Sequence, residues 1–182
     1  MPRSVTRTLR VDEDLDKAIA SRASKERVSV NFLVNRSLRK FIEWEIPILE
    51  LGMVVVPKLL LDRLSGDKDE KKFAEYGREV ARDFLKPATQ YVVGEYTVAS
   101  AIEVLRRSSL YSARFSFDFD EGHDSRKQVL VVRHDQGRLW SSYFAGLLDE
   151  TFGVLLGNDV KVEYTDSLCI AQLAPVSRLA GK

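Results

Sequence analysis

The sequence predicts a two-part fold. A strand–helix–helix segment would come first, and an α+β domain would follow, with two C-terminal β-hairpins flanking a helix. Three patterns carry this prediction. Residues 5–11, VTRTLRV, alternate as a strand does. Apolar residues then recur at helical spacing up to about residue 45. Strand alternation returns after residue 113 in two pairs of short runs.

Length and composition place the chain among ordinary folded proteins. Its 182 residues suffice for one large domain or two small ones, and 45% are hydrophobic and 30% charged. Cys169 is the only cysteine, which excludes an intramolecular disulfide and fits a reducing compartment. No apolar run approaches the roughly 20 residues that a membrane span needs, and the N-terminus lacks an apolar signal segment. We therefore expect a cytoplasmic protein without a membrane segment.

The net charge of +1 conceals an uneven distribution. Residues 1–46 contain ten basic and seven acidic side chains, whereas the remainder contains 18 basic and 20 acidic ones. The first eleven residues hold Arg3, Arg7 and Arg10 and no acid. Such a local cationic patch is typical of a surface that contacts a polyanion.

The predicted strand has one unusually polar face. Side chains alternate along a strand, so Thr6, Thr8 and Arg10 would point outward together while Leu9 and Val11 face a core. Two hydroxyls and a guanidinium suit base edges in a DNA major groove, which is wide enough for a two-stranded ribbon. The alternative is an ordinary solvated face of an edge strand.

Two helices should follow the strand. Asp12 is a good N-cap for the first helix, which should end near residues 25–27. Ser29 is a good N-cap for the second, which should run from about Val30 to Glu45. Both have apolar positions at helical spacing: Leu15, Ala18, Ile19 and Ala23, then Val30, Leu33, Val34, Leu38, Phe41 and Ile42.

The strand TRTLRVDEDL and the turn RVSVNFLV together resemble the ribbon-helix-helix family of DNA-binding repressors, over about residues 4–45. The resemblance implies that the outward strand residues read bases. It also implies that the start of the second helix holds a phosphate, as free N–H groups there favour an anion. The implied base-reading residues are Thr6, Thr8 and Arg10, and the implied phosphate-binding residues are Arg3, Arg7, Ser29, Val30 and Asn31. The sequence departs from the family at Arg27, where many members have glycine.

The resemblance also implies a homodimer, whose two N-terminal strands would form the ribbon. A lone strand leaves its backbone groups unpaired, and about 40 residues cannot enclose a core by themselves. The expected partner is double-stranded DNA, as an inverted-repeat operator that matches the two-fold symmetry of the dimer. Assembly into a tetramer stays open.

Residues 47–176 should form the α+β domain, after a DNA-binding domain of residues 1–46 and before a loose tail at 177–182. We expect a strand at 52–57, a helix to about residue 64, and helices that end at or kink near Pro87 and span 97–110. ARFSFDFD and QVLVVRH should form one hairpin, and DVKVEY and SLCIAQL the other. Between the hairpins, Asp135 can cap a helix that Gly157 stops.

The second part carries no recognisable catalytic motif. It contains no GxGxxG, P-loop, HExxH or CxxC pattern, so we expect neither an enzyme nor a bound cofactor. His123, His134 and Cys169 are weak metal candidates; the favoured interpretation is that they are a turn residue, a strand end and a small buried apolar side chain. The expected function is a nucleoid-associated transcription regulator, whose α+β domain oligomerises or senses an unidentified small-molecule effector. An antitoxin-like protein-binding module and a metal-responsive regulator are the alternatives.

Overall fold

The computed structural model describes residues 5–53, 69–112, 114–121 and 128–173. The chain divides into two compact units, Met1–Ile46 and Pro47–Lys182.

The first unit is built on a helix pair, α1 (Glu13–Glu26) and α2 (Val30–Lys40). Glu13, Asp14 and Asp16 lie in the first turn of α1, where acidic side chains favour the positive end of a helix. Arg27 ends α1 in the left-handed conformation, with φ 55° and ψ 41°. The N–H groups of Arg27 and Val28 donate to the carbonyl oxygens of Ser24 and Ala23, at 3.2 and 3.0 Å. The turn thus adopts the geometry that usually favours glycine, although arginine occupies it.

The predicted N-terminal strand is absent, so the ribbon-helix-helix fold class is wrong for this chain. Residues 5–12, here called the arm, have no regular secondary structure, and α1 is the first regular element of the described chain. The physical reason is that a strand forms only where its backbone groups have a partner, and no described segment pairs with the arm. Leu9 and Val11 accordingly face no core, as 65% and 47% of their surfaces are exposed.

Two helices continue through short π-helical segments, here called π-turns. The first, Phe41–Glu45, joins α2 to α3 (Ile46–Glu50), and the second is Ala81–Leu85. A proline follows each π-turn by two residues, at Pro47 and Pro87. In an α-helix the proline ring clashes with the carbonyl four residues earlier, and the wider π-turn relieves that clash. Both helices continue past the proline, so the helix predicted from Val30 does not stop at Glu45, and of the two alternatives at Pro87 the helix end is wrong.

The second unit contains four further helices and four strands among the described residues. The helices are α4 (Glu70–Val80), α5 (Lys86–Val93), α6 (Val98–Ser112) and α7 (Arg138–Leu156). The strands are β1 (Ser116–Asp120), β2 (Gln128–Arg133), β3 (Lys161–Tyr164) and β4 (Leu168–Leu173). The predicted strand at 52–57 lies mostly outside the described residues, and the predicted helix to residue 64 and the tail at 177–182 lie entirely outside them.

The four strands form one antiparallel sheet in the order β1-β2-β4-β3. Both predicted hairpins are present, and they join through β2 and β4, where Val132 pairs with Cys169 and Leu130 with Ala171. These four side chains are almost fully buried on the inner face of the sheet. Aliphatic side chains of the central strands, among them Val131 and Ile170, alternate onto the outer face.

Helix α7 is the centre of the second unit, since it contacts α4 as well as β3 and β4. It is buried around most of its circumference, as Ser142, Leu147 and Phe152 on different sides of the helix illustrate. Each helix has a glycine where α4 and α7 cross. A Cβ at Gly77 would lie 2.0 Å from the Tyr143 carbonyl oxygen, and one at Gly146 would lie 1.9 Å from the Ala74 carbonyl oxygen. The two backbones therefore touch directly.

The predicted C-terminal end of α7 is confirmed, and its predicted N-cap is wrong. Gly157 follows its last turn with φ 67°, as its role as a stop residue requires. Asp135, however, is not the N-cap, because the helix begins later, after Gly137 with φ 84°. The residues between β2 and α7 instead form a compact loop around the side chain of His134, described below.

Candidate nucleic-acid interface

The arm presents all of its described side chains to the surface. Thr6, Thr8 and Arg10, which the sequence predicts to read bases, are exposed, and so is Arg7. Arg3 lies outside the described residues. Because the arm has no strand pairing, these side chains do not alternate between a buried and an exposed face. The structure leaves the predicted contact residues accessible without fixing their mutual orientation.

The start of α2 is also at the surface. The Ser29 Oγ accepts a hydrogen bond from the Phe32 N–H at 3.1 Å, which caps the helix as predicted. Val30 and Asn31 are exposed beside it. A helix start has four N–H groups without intrahelical partners, and the side chain of Ser29 satisfies one of them. The first turn of α2 therefore offers N–H donors and the positive end of a helix dipole, a combination that suits a phosphate.

Most basic side chains of α1 and α2 are paired with acids. Glu26 bonds both Arg22 and Arg36, the latter at 2.5 Å, and these bonds lower the pKa of the Glu26 carboxyl. The Arg36 bond also fastens α2 to α1. The other ion pairs are Lys17–Glu13, Arg39–Glu43 and Lys40–Glu45.

Four basic side chains of the first unit have no acidic partner among the described residues. Arg7 and Arg10 belong to the arm, whereas Lys25 lies in the last turn of α1 and Arg27 follows the end of that helix. Arg7 and Arg10 thus lie within a predicted contact segment. Arg27 is separated from Ser29 by one residue, and Lys25 is separated from it by three. The sequence analysis did not predict Lys25 or Arg27 as contact residues, and it named Arg27 only as a replacement for the family's glycine. The signal that could have found them is the absence of an acid three or four residues away on either side, a feature that Arg36 shares although it pairs with Glu26 of the other helix.

The first unit also exposes many large apolar side chains. Only Ala23 and Leu33 are buried in it among the described residues. More than a third of the surface of each of the following is exposed: Val5, Leu9, Val11, Leu15, Val30, Phe32, Leu38, Phe41 and Ile42. A surface this rich in exposed aliphatic and aromatic groups is unusual for a monomer and is typical of an interaction face.

The second unit brings two of the three weak metal candidates to one serine. The His134 Nε2 lies 2.9 Å from the Ser141 Oγ, and the Cys169 Sγ donates to the Ser141 carbonyl oxygen at 3.0 Å. His123 lies outside the described residues. The part of the chain that the structure describes contains no group of three side chains able to hold a metal ion.

The His134–Ser141 pair is not arranged as a base and a nucleophile. The Gln136 N–H donates to the His134 Nδ1 at 3.2 Å, so Nδ1 carries no proton and the neutral ring carries its proton on Nε2. The Nε2–H therefore donates to the serine oxygen and cannot accept its proton. Ser141 and Cys169 are fully buried, and burial raises the pKa of the Cys169 thiol to about 12. The arrangement ties the start of α7 to His134 and to β4 through hydrogen bonds.

A surface cavity at the C-terminal end of α7 is a poor candidate for nucleic acid. Its lining includes Asp149, Glu150 and Asp159. Two of these acids already bind arginines, with Arg78 at 3.4 Å from Asp149 and Arg82 at 3.1 Å from Glu150. Carboxylates beside the negative end of a helix repel phosphate.

No family model, curated protein or solved structure matches the chain. None of the helices that the structure describes is long and apolar enough to span a membrane.

Proposed function

We propose that this protein is a homodimeric, sequence-specific DNA-binding transcription regulator whose first unit contacts duplex DNA. One observation carries the proposal: Arg7, Arg10, Lys25 and Arg27 have no acidic partner among the described residues, and Arg27 is separated from the Ser29 cap of α2 by one residue. Unpaired cations are available to phosphates, whereas ion-paired ones must first give up a partner. Lys25 and Arg27 join Arg7 and the residues at the start of α2 as the proposed phosphate contacts.

Base recognition is assigned to the arm. Thr6, Thr8 and Arg10 are exposed and combine hydroxyls, which donate and accept, with a guanidinium that can bond both O6 and N7 of guanine. The major groove displays a distinct donor and acceptor pattern for each base pair, so the arm is proposed to act there. Phosphate contacts fix the register of the protein on the duplex, and base contacts supply the sequence preference.

The exposed apolar side chains of the first unit support a dimer. With two buried apolar residues, the described part of this unit falls far short of the core that independent folding requires. A second copy would cover the apolar surface and double the number of unpaired cations. A two-fold symmetric dimer recognises an inverted repeat, so the proposed operator is palindromic in outline.

The second unit is proposed to oligomerise the protein further or to sense a small effector. Its substantial core supports a folded module rather than a tail that orders only on binding a partner, and this disfavours the antitoxin alternative. The proposed place of action is the nucleoid, in the cytoplasm.

Footprinting on the upstream region of the protein's own gene, together with selection of binding sites from random duplexes, tests the proposal. We expect a protected inverted repeat. If Arg10 bonds guanine through both acceptors, Arg10→Ala should cost about 1–3 kcal/mol at that site, which is roughly 5- to 150-fold in Kd. Arg39→Ala is the matched control, because Arg39 is an exposed arginine of the same unit that pairs with Glu43.

The proposal predicts that Arg39→Ala binds within about twofold of the parent, as expected for loss of an exposed ion pair. Absence of any selected sequence, or equal losses in Arg10→Ala and Arg39→Ala, would overturn it.

A further inference from the structure

The loop between β2 and α7 is tied to its surroundings through one imidazole. His134 lies at the end of β2, where its N–H donates to the Ser167 carbonyl oxygen at 3.0 Å. Its ring is buried and bonds Ser141 on the first turn of α7, and its centre lies 5.2 Å from the centre of the Phe144 ring. On its other side, Nδ1 accepts the Gln136 N–H. One ring thus joins the loop to the start of the helix.

Gln136 extends this chain of bonds to the segment before β1. Its Oε1 accepts from the Arg114 guanidinium at 2.7 Å, and its Nε2 donates to the Arg114 carbonyl oxygen at 2.8 Å. The Arg114 guanidinium also lies over the Trp140 ring, 5.2 Å from the ring centre. Gln136 therefore holds both the backbone and the side chain of Arg114, and the His134 bond holds the backbone of Gln136.

Only the neutral ring is compatible with this arrangement. A protonated imidazole carries hydrogens on both nitrogens and has no acceptor. The bond from Nε2–H to Ser141 would survive protonation, but an N–H at Nδ1 would face the Gln136 N–H, with the two nitrogens 3.2 Å apart. Either the ring or the backbone of Gln136 must then move.

We propose that residues 134–137 form an acid-operated latch, closed while His134 is neutral and released at Gln136 when Nδ1 takes up a proton. Release would free Gln136 from its fixed position and loosen its hold on Arg114 and on the entry to β1. The latch is independent of the proposed DNA contacts, which lie in the first unit.

The surroundings set the acidity at which the latch would open. Burial lowers the pKa of His134 below its usual value of 6.5, and the neighbouring Asp135 offsets part of this effect. Cys169 on β4 and Tyr143 on α7 stay uncharged near neutral pH, because burial raises the pKa of each to about 12. Arg114 is the charged group that reaches the loop from the segment before β1, through its bond to Gln136. The latch should therefore open below pH 6.5.

Nuclear magnetic resonance of the full chain across this pH range tests the proposal. The His134 ring resonances, the Gln136 amide and the Trp140 indole should change with one midpoint, and hydrogen exchange at the Gln136 amide, corrected for its intrinsic pH dependence, should accelerate at least tenfold on the acid side. His134→Asn is the control variant, since an asparagine oxygen can accept the Gln136 N–H but cannot take up a proton. Its Gln136 amide should stay protected throughout.

Three outcomes would overturn the latch: a His134 ring that stays neutral down to acid unfolding, a Gln136 amide that stays protected after the ring is protonated, or the same acid transition in His134→Asn. Gln136→Ala removes the hold on Arg114 without touching the imidazole, and it keeps the test decisive if His134→Asn does not fold. Its Trp140 resonance should resemble the acid form at every pH; a parent-like Trp140 resonance at neutral pH would count against the latch.

Discussion

Replacing Gly146 by alanine should separate the two central helices of the second unit. The new Cβ would lie 1.9 Å from the Ala74 carbonyl oxygen and 2.7 Å from its carbonyl carbon. Ordinary contact begins near 3.4 Å, so α4 and α7 would have to move apart by about 1.5 Å. The obstacle is helix backbone, which cannot rotate away as a side chain can.

The cost can be estimated from two opposing effects. Overpacking a tight core costs typically about 1–3 kcal/mol and occasionally more. Alanine in a helix gains up to about 1 kcal/mol over glycine, and this gain offsets only part of the loss. We therefore expect the free energy of unfolding of the second unit to fall by about 1–2 kcal/mol, with the upper end favoured because the clash is with backbone.

Gly153→Ala is a control within the same helix. A Cβ there would lie 3.5 Å from the Asn158 carbonyl oxygen, an ordinary contact, so this variant should keep or slightly raise stability. Urea unfolding followed by Trp140 fluorescence, in a Trp44→Phe background, measures both variants. If Gly146→Ala unfolded at the same urea concentration as the parent, or if both variants were destabilised equally, the backbone contact between α4 and α7 could not be as close as described.

Three further predictions follow. Arg27→Gly should raise the free energy of unfolding of the first unit by up to about 1 kcal/mol, because glycine takes the left-handed conformation without strain, yet it should weaken DNA binding severalfold. Urea unfolding measures the stability and fluorescence anisotropy measures the binding, both at equal protein concentration; a rise or a fall in both quantities would contradict the prediction. The folded pKa of His134 lies below its unfolded value, so its contribution to stability is present above pH 6.5 and is lost as the pH falls through the folded pKa; His134→Asn should flatten this part of the stability–pH curve, and an unchanged slope would argue against it. Cys169 is fully buried with its pKa raised to about 12, so it should react with a thiol reagent such as Ellman's only on unfolding; rapid reaction of the native protein would show that the sheet opens.

Local signals predicted the elements whose hydrogen bonds stay within a short stretch of chain. Ser29 caps α2, Gly157 ends α7, and the run of Phe115, Phe117 and Phe119 leads into a hairpin, all from residues a few positions apart. The two hairpins also form from neighbouring runs. Their union into one sheet depends on the pairing of β2 with β4, which no local pattern encodes.

The sequence predictions that were wrong depended on contacts with parts of the chain that no local pattern encodes. The arm alternates like a strand, but alternation does not supply the second strand that its backbone groups require. Pro47 and Pro87 look like helix ends, yet a π-turn lets each helix continue. Gly77 and Gly146 look like weak points in helices until their direct contact across α4 and α7 is known. For the candidate site, the sequence named exposed residues of the arm and the start of α2, but it could not distinguish paired from unpaired cations.

The salt dependence of DNA binding measures the proposed phosphate contacts most directly. Each contact contributes about 0.9 to the slope of log Kobs against log salt concentration, so Arg7→Ala, which removes one contact per subunit of a dimer, should flatten that slope by about 1.8. Arg39→Ala should leave the slope as it is in the parent, because Arg39 pairs with Glu43. A slope that is unchanged in Arg7→Ala, or that flattens equally in both variants, would contradict DNA binding through the unpaired cations of the first unit.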